Sequence, residues 1–397
     1  MLKVLVSSIT ARISYTIELV FGEILGLSVE VVERLEEVSA DSPMVDYRRE
    51  PDKALPCRIP NTGLLHETSI RQKWAEVQEG ERSVLFPVAD SELGFDVLSA
   101  IFYLATDYEK RVEIHMDPHN RYDPHAYPSG KENWFEEPLC EVFAEKLWQY
   151  LKKHFSQLER TKKEARVIWT FDLDNPWKYK YKPLYVQWGG LLTDLLGGKW
   201  KQAGERVKTL VGGVDPYDFY GLLPDYFPKE KTLLFILLER KSKHDSRFTW
   251  RNPKLRELVI SLKEAGYELG IHPSYTTFLD EEQISFEKEK LEEWVNDIDS
   301  GRQHYLKVRY PDTYQFYLQA GINTDFSACL YHMTGFPMGM TRSFDWFDLR
   351  KNEKTELRIQ PTQIMDVSLK GYMALSVEKS IQEMDRIFSR VREYGGE

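Results

Sequence analysis

Cysteine is scarce in this chain of 397 residues. Cys57, Cys140 and Cys329 are odd in number and far apart, so we predict neither a disulfide framework nor a cysteine-based zinc site. The sequence also lacks a run of about 18 uncharged apolar residues, which predicts no transmembrane segment. Arg12 interrupts the short apolar start, so we expect no cleavable signal peptide and a cytoplasmic protein, with surface association at a membrane left open.

An excess of basic residues is missing as well. Lys and Arg number 53 and Asp and Glu number 63, a net charge of −10, which argues against nucleic acid bound through a general basic surface. Apolar residues make up 42% and charged residues 29%, a globular composition that argues against wholesale disorder. At roughly 150 residues per domain, the length predicts two or three domains.

The pattern of apolar residues changes near residue 160. Residues 1–160 mix strand-like and helical runs, and we interpret them as a smaller α/β domain of unknown role. Residues 157–166 are highly charged without apolar periodicity, which places a domain boundary there. From 161 to 397, short apolar strands alternate with helices, which predicts parallel strands with helical crossovers in a barrel or a doubly wound sheet. Residues 183–226 fit this alternation poorly. We interpret them as a helical insertion that packs on the first domain, covers the site or forms a dimer contact.

Polar residues recur where the predicted strands end. Asp172 and Asp174 end the first strand after residue 160, on one side of it, where paired carboxylates suit a metal ion or a base beside one. His272 ends the third strand, and neutral imidazole is a common zinc ligand. Each feature has an ordinary alternative, namely solvated loop acids or a hydrogen-bonded loop histidine. Together they favour a site, because α/β sites form at strand ends.

Further polar residues follow later strands. Arg302 can orient a carboxylate through a bidentate pair, and His304 can bind a metal or carry a proton. Asp325 and Asp366 end or follow two more strands. Three aromatic residues near these motifs suit sugar stacking but are better explained as core or rim aromatics: Trp177, Tyr275 and Trp346.

The order of these motifs resembles that of the polysaccharide deacetylases, the chitooligosaccharide-deacetylase-like enzymes of carbohydrate esterase family 4. The motifs that carry the resemblance are Thr170-Phe-Asp-Leu-Asp174, Gly270-Ile-His-Pro-Ser274, Arg302-Gln-His-Tyr305, Asp325-Phe-Ser327 and Met365-Asp366. Residues 335–348 look like the loop after the fourth motif in a bacterial subgroup of this family. That subgroup carries an extra N-terminal domain, and residues 95–104 and 117–121 resemble parts of that domain. The resemblance implies a distorted (β/α)7 barrel and a divalent metal, often zinc, that polarises an acetamide and activates water.

The resemblance also implies roles for individual residues. Asp172 corresponds to the general base, Arg302 to the arginine that holds it, and the backbone N–H of Tyr305 to an oxyanion-hole donor. The second acid of the family motif is Leu173 here, so the metal role moves to Asp174. His272 matches the first metal-binding histidine.

Two family residues are absent from this chain. Thr276 stands where the family has its second metal-binding histidine, four residues after His272. His304 is our first choice for the third ligand and His244 our second. The late general-acid histidine is also absent, and Asp366 can replace it if its pKa is raised near neutrality.

The sequence therefore predicts a zinc-type metal hydrolase, acting on non-peptide C–N bonds, that removes N-acetyl groups from a carbohydrate. The alternatives are a non-catalytic carbohydrate-binding or assembly protein on a degenerate deacetylase barrel, and a metal hydrolase acting on an amide that is not a sugar. The expected partner is an N-acetylated carbohydrate, with homo-oligomerisation left open.

Overall fold

The computed structural model of the protein divides into two compact units. Unit 1 comprises Met1–Arg166 and Thr324–Glu397, and unit 2 comprises Val167–Asn323. The structure describes residues 1–37, 42–51, 55–72, 74–78 and 84–397. None of the helices in these described ranges is long and apolar enough to cross a membrane. Strand pairing is mainly parallel, so the chain is a mixed α/β protein, as the alternating strands and helices predict.

The N-terminal part of unit 1 begins with a three-stranded parallel sheet in the order β2-β1-β3. Its elements are β1 (Leu2–Leu5), α1 (Ala11–Ile17, continued as a π-helix through Glu18–Ile24), β2 (Val29–Val32), β3 (Met44–Asp46), β4 (Val77–Gln78), β5 (Val84–Leu85), α2 (Val97–Ala105), α3 (Glu109–Val112), α4 (Pro128–Lys131) and α5 (Leu139–His154). The Asp96 carboxylate caps α2 by accepting the Ser99 N–H. Every residue of α2 is buried, so this helix lies in the core of unit 1.

Unit 2 contains four parallel strands in the order β9-β8-β7-β6. Its elements are β6 (Trp169–Leu173), α6 (Leu184–Leu196), α7 (Trp200–Leu210), α8 (Leu223–Tyr226), β7 (Thr232–Ile236), α9 (Pro253–Glu264), β8 (Glu268–Ile271), α10 (Glu281–Val295), β9 (Ser300–Gly301) and α11 (Asp312–Gln319). All of β7 is buried, as expected of a central parallel strand. The carboxamide of Asn252 caps α9 by accepting the N–H groups of Lys254 and Leu255.

The chain then returns to unit 1 with three strands and a long helix. These are β10 (Thr324–Asp325), β11 (Phe344–Asp348), β12 (Glu353–Ile359) and α12 (Val377–Tyr394). Strand β10 pairs with β12 in parallel, whereas β11 and β12 form an antiparallel pair. Residues 335–348 resemble a loop of the bacterial deacetylase subgroup, but the structure places β11 within them. The reason is the short turn before β12, which includes Asn352 at φ 57° and brings the two strands together as a hairpin.

Candidate metal centre

Residues at the carboxyl ends of the unit 2 strands meet at one edge of the sheet. Asp174 directly follows β6, His272 directly follows β8, and Arg302 directly follows β9. The N–H of His272 donates to Ile236 O, and the N–H of Arg302 donates to Ile271 O, so strand pairing continues up to these residues. Because the strands are parallel neighbours, their carboxyl ends lie together, as the sequence predicts.

Three of the predicted metal ligands converge at this edge. The Nε2 atom of His272 lies 3.3 Å from Asp174 Oδ1 and 3.0 Å from His304 Nδ1. The His304 Nδ1 atom lies 3.5 Å from the same carboxylate oxygen. All three ligand atoms lie within 4.8 Å of one another, and both imidazoles are buried. This Asp-His-His group can hold a metal ion.

The outer nitrogen of each histidine contacts a backbone carbonyl. His272 Nδ1 lies 2.5 Å from the Arg302 carbonyl oxygen, and His304 Nε2 lies 3.1 Å from the His244 carbonyl oxygen. A carbonyl accepts only, so each of these nitrogens donates its proton there. In the neutral rings, the lone pairs of the other two nitrogens then face each other and Asp174. Such carbonyl contacts orient histidines that ligate metals.

The Asp174 carboxylate shows the need for a cation in this group. When both imidazoles are neutral, its buried Oδ1 atom accepts no hydrogen bond from the described residues. Burial raises the pKa of Asp174, but the hydrogen bond that protonated His272 would donate and the charges of protonated His272 and His304 outweigh that effect and lower the pKa. Three electron-pair donors without a proton between them match the ligand set of a divalent metal. The residues therefore fit the metal that the sequence predicts.

The two imidazoles differ in their affinity for a proton. Burial lowers the pKa of His272, but attraction to Asp172 and Asp174 outweighs burial and raises it. Burial and then the charge of His272 lower the pKa of His304. In the absence of a metal, His272 is thus the preferred site for one shared proton. A metal must displace that proton, so metal affinity falls with decreasing pH.

Arg302 holds the carboxylate that the sequence assigns as a base. Its Nη1 atom donates to Asp172 Oδ1 at 2.8 Å, and its Nη2 atom donates to Thr170 Oγ1 at 2.9 Å. The guanidinium also lies 4.6 Å from the centroid of the Phe235 ring. These contacts fix both the arginine and the carboxylate, while Asp172 stays partly exposed.

The segment after Arg302 has an unusual backbone. Tyr305 and Leu306 both adopt positive φ, at 61° and 57°, which is costly for side chains of this size. The Tyr305 hydroxyl lies 3.3 Å from His244 Nδ1, and the His244 ring stacks on Tyr275 at 4.4 Å. The three rings form an aromatic cluster beside the predicted metal ligand His304.

Two buried acids that support the site were not predicted. Glu287 in α10 accepts hydrogen bonds from Ser274 N at 2.9 Å and Ser274 Oγ at 2.5 Å, which ties α10 to the loop after His272. Burial raises the pKa of Glu287 to about 7. Asp245 accepts the Tyr275 N–H at 2.7 Å. The available signal was the helical spacing of Glu287 with Ile284 and Leu291, which places it on the apolar face.

Several predicted site residues have other surroundings. Asp366 belongs to unit 1, is exposed and accepts the Val367 N–H, and its role as an acid stays a prediction. The backbone carbonyl of His244 contacts His304 Nε2. The group that can hold a metal consists of Asp174, His272 and His304, so the alternative ligand His244 is not a member of it. Trp177 and Trp346 are only 5% and 1% exposed. They are core residues, so the structure favours the core alternative over sugar stacking for both.

Comparison with known proteins finds similarity for parts of the chain. A family of unknown function, DUF7033, matches residues 2–156. A comparison with curated proteins found no match. Among solved structures, the chain is similar to one from Mycobacterium smegmatis with a provisional description as a polysaccharide deacetylase. The two are 14% identical with a TM-score of 0.35, over 60% of this chain and 76% of that one. Neither match establishes a function for this chain.

Proposed function

We propose that this protein is a metal-dependent hydrolase that removes N-acetyl groups from a carbohydrate, on a distorted (β/α)7 barrel of the polysaccharide deacetylase type. The observation that carries the proposal is the convergence of Asp174, His272 and His304, whose ligand atoms lie within 4.8 Å of one another. The motif order that resembles the deacetylases supports the choice of reaction. The Arg302–Asp172 pair beside this group supplies a positioned base.

A divalent ion on Asp174, His272 and His304, with zinc the first choice, would supply a Lewis acid for the amide carbonyl and acidify water. Asp172 then accepts the proton of the attacking water. Arg302 keeps that carboxylate oriented through its 2.8 Å hydrogen bond. Without this bond, the carboxylate would rotate freely and lose its alignment with the water.

Two further groups complete the reaction. The backbone N–H of Tyr305 donates to the developing oxyanion, a contribution of about 3–4 kcal/mol for a donor of this kind. The leaving amine takes up a proton, the step for which the sequence predicts Asp366. The amide C–N bond breaks, the oxygen of water joins the acyl carbon, and the products are acetate and a free amino sugar.

Metal content tests the ligand set directly. We expect about one equivalent of zinc or a similar ion in protein purified without chelator or metal-affinity resin. The His304→Ala variant and the Asp174→Ala/His272→Ala double variant should lose it. His244→Ala is the matched control, because its contact with His304 uses the backbone carbonyl, which alanine retains. Equal metal in wild type and His304→Ala would contradict this ligand set.

Acetate release from N-acetylated oligosaccharides tests the reaction. Asp172→Asn should keep the metal and lose turnover, because an amide cannot accept the proton of water. Metal without acetate release would favour a hydrolase for an amide that is not a sugar. An absence of metal after reconstitution would favour the non-catalytic carbohydrate-binding protein, which agrees with Thr276 at the position of the family's second histidine.

A further inference from the structure

Helices α6 and α7 in unit 2 have an inverted distribution of polar and apolar residues. Their buried residues are Gln187, Asp194, Ala203 and Thr209. The residues that they expose include the apolar or aromatic Leu184, Tyr185, Trp188, Leu192, Leu196, Trp200, Val207 and Leu210. Trp188, Leu196 and Trp200 are 69%, 80% and 70% exposed. A helix pair that faces water has the opposite distribution.

The polar residues of this helix pair form contacts on its inner side. Asp194 Oδ2 accepts from Arg206 Nε at 3.0 Å and lies 2.9 Å from Arg206 Nη2, with both side chains largely buried. The Arg206 guanidinium lies 4.7 Å from the centroid of the Tyr179 ring. The side-chain amide of Gln187 donates to the Tyr179 carbonyl. Charges paired inside and apolar groups outside are typical of helices that face an apolar medium.

The charge of this surface points to an anionic partner. Residues 184–214 contain four basic residues (Lys199, Lys201, Arg206, Lys208) and two acidic ones (Asp194, Glu205), a net charge of +2. The chain as a whole carries −10. The three lysines are exposed among the exposed tryptophans and leucines. Tryptophan and lysine beside an apolar helix face are characteristic of helices at the surface of a membrane.

The length of the helices determines how they can meet a bilayer. Helices α6 and α7 have 13 and 11 residues, about 20 and 17 Å at 1.5 Å per residue. The hydrocarbon core is about 30 Å thick, so neither helix can span it. We propose that the α6–α7 helix pair docks on an anionic phospholipid bilayer and lies in the plane of the headgroups.

A short segment joins this surface to the metal centre. Residues 175–182 connect Asp174 to α6, and the carboxylate of Asp215 accepts the backbone N–H groups of Lys178, Tyr179 and Lys180 at 2.8–2.9 Å. These hydrogen bonds hold the connection in a defined conformation. Docking would therefore bring a bilayer to the part of unit 2 that follows the first metal ligand. Docking of α6 and α7 on a bilayer does not depend on the proposed hydrolase activity.

Flotation of the full chain with vesicles of phosphatidylcholine and phosphatidylglycerol tests the proposal. We expect wild type to float and the Leu192→Glu/Leu196→Glu variant to bind at least about tenfold more weakly, because two leucines no longer leave water. Leu279→Glu/Ile381→Glu is the matched control, since both residues are exposed outside the helix pair, and it should bind as wild type does. Added salt should weaken binding through the lysines.

Three results would overturn the proposal. The first is equal flotation of wild type and the Leu192→Glu/Leu196→Glu variant, and the second is no flotation of wild type. The third is a wild-type dimer in light scattering that this variant dissociates while no vesicles are bound, because a second copy would then cover the surface. Unchanged circular dichroism and thermal melting of the variant show that it is folded.

Discussion

Replacing Glu287 with glutamine should remove a pH dependence of folding stability. Glu287 lies in α10 and is fully buried against the loop after His272, and burial raises its pKa from 4.5 to about 7. One pKa unit corresponds to about 1.4 kcal/mol, so this shift is worth about 3 kcal/mol. Glutamine keeps the size of the side chain and an acceptor for the Ser274 N–H, and it cannot ionise.

The sign of the effect follows from the direction of the shift. The folded state binds the proton of Glu287 more tightly than the unfolded state does, so stability falls as pH rises. The contribution is fully present below pH 4.5 and is lost as the pH rises to about 7. Between these limits, the slope is about −1.4 kcal/mol per pH unit.

Denaturant unfolding between pH 4.5 and 8 measures this slope. The readout is the difference between wild type and Glu287→Gln, because Glu109 in unit 1 has its pKa raised to about 7 as well, chiefly by burial, and affects both proteins equally. That difference should change by about 3 kcal/mol across the range. Glu289→Gln, an exposed residue of the same helix, is the matched control. Parallel stability curves for wild type and Glu287→Gln would refute the reasoning.

Substitutions at three other positions test the framework and the site of unit 2. Gly270→Ala should destabilise the protein by about 2–3 kcal/mol, because a Cβ would lie 2.7 Å from an aromatic ring and 2.8 Å from a carbonyl oxygen, and an unchanged melting temperature would contradict this. Asn252→Ala should cost about 1 kcal/mol in unfolding free energy by removing the cap of α9, and Asn252→Asp should restore most of it. Arg302→Lys should lower turnover at least about tenfold with metal content unchanged, because lysine lacks the fork that contacts both Asp172 and Thr170; full activity would exclude the positioning role.

The sequence predicts the framework of unit 2 well because its elements follow strong local rules. Asn252 and Pro253 mark the start of α9, which begins at Pro253, and apolar residues spaced along one face extend it to Glu264. Asp280 marks the start of α10 in the same way, because its carboxylate accepts the Gln283 N–H, and the helix covers Glu281–Val295. The buried run that starts at Thr232 forms β7. In each case, periodicity and capping agree with the tertiary environment.

Features that depend on distant contacts were not predictable in the same way. Strand β11 exists because it pairs with β12, and its segment carries no clear alternation of polar and apolar residues. Asp245 is one of several polar residues in a loop, and only the fold brings its carboxylate to the N–H of Tyr275. Local sequence rules contain no information about such pairings.

The proposed third ligand, His304, shows how the fold can bring a histidine to a position that the sequence motif leaves without one. In the family that the motifs resemble, the second histidine comes from the same loop as the first, and Thr276 at that position is exposed here. Strands β8 and β9 are parallel neighbours, so residues just beyond their ends are close in space although they are 32 residues apart. His304 thereby reaches His272 from the adjacent strand, and the His244 carbonyl orients its ring. A search for two histidines four residues apart misses this arrangement, because the distance that matters is the spacing between neighbouring strands, about 4.8 Å, and not a separation along the chain.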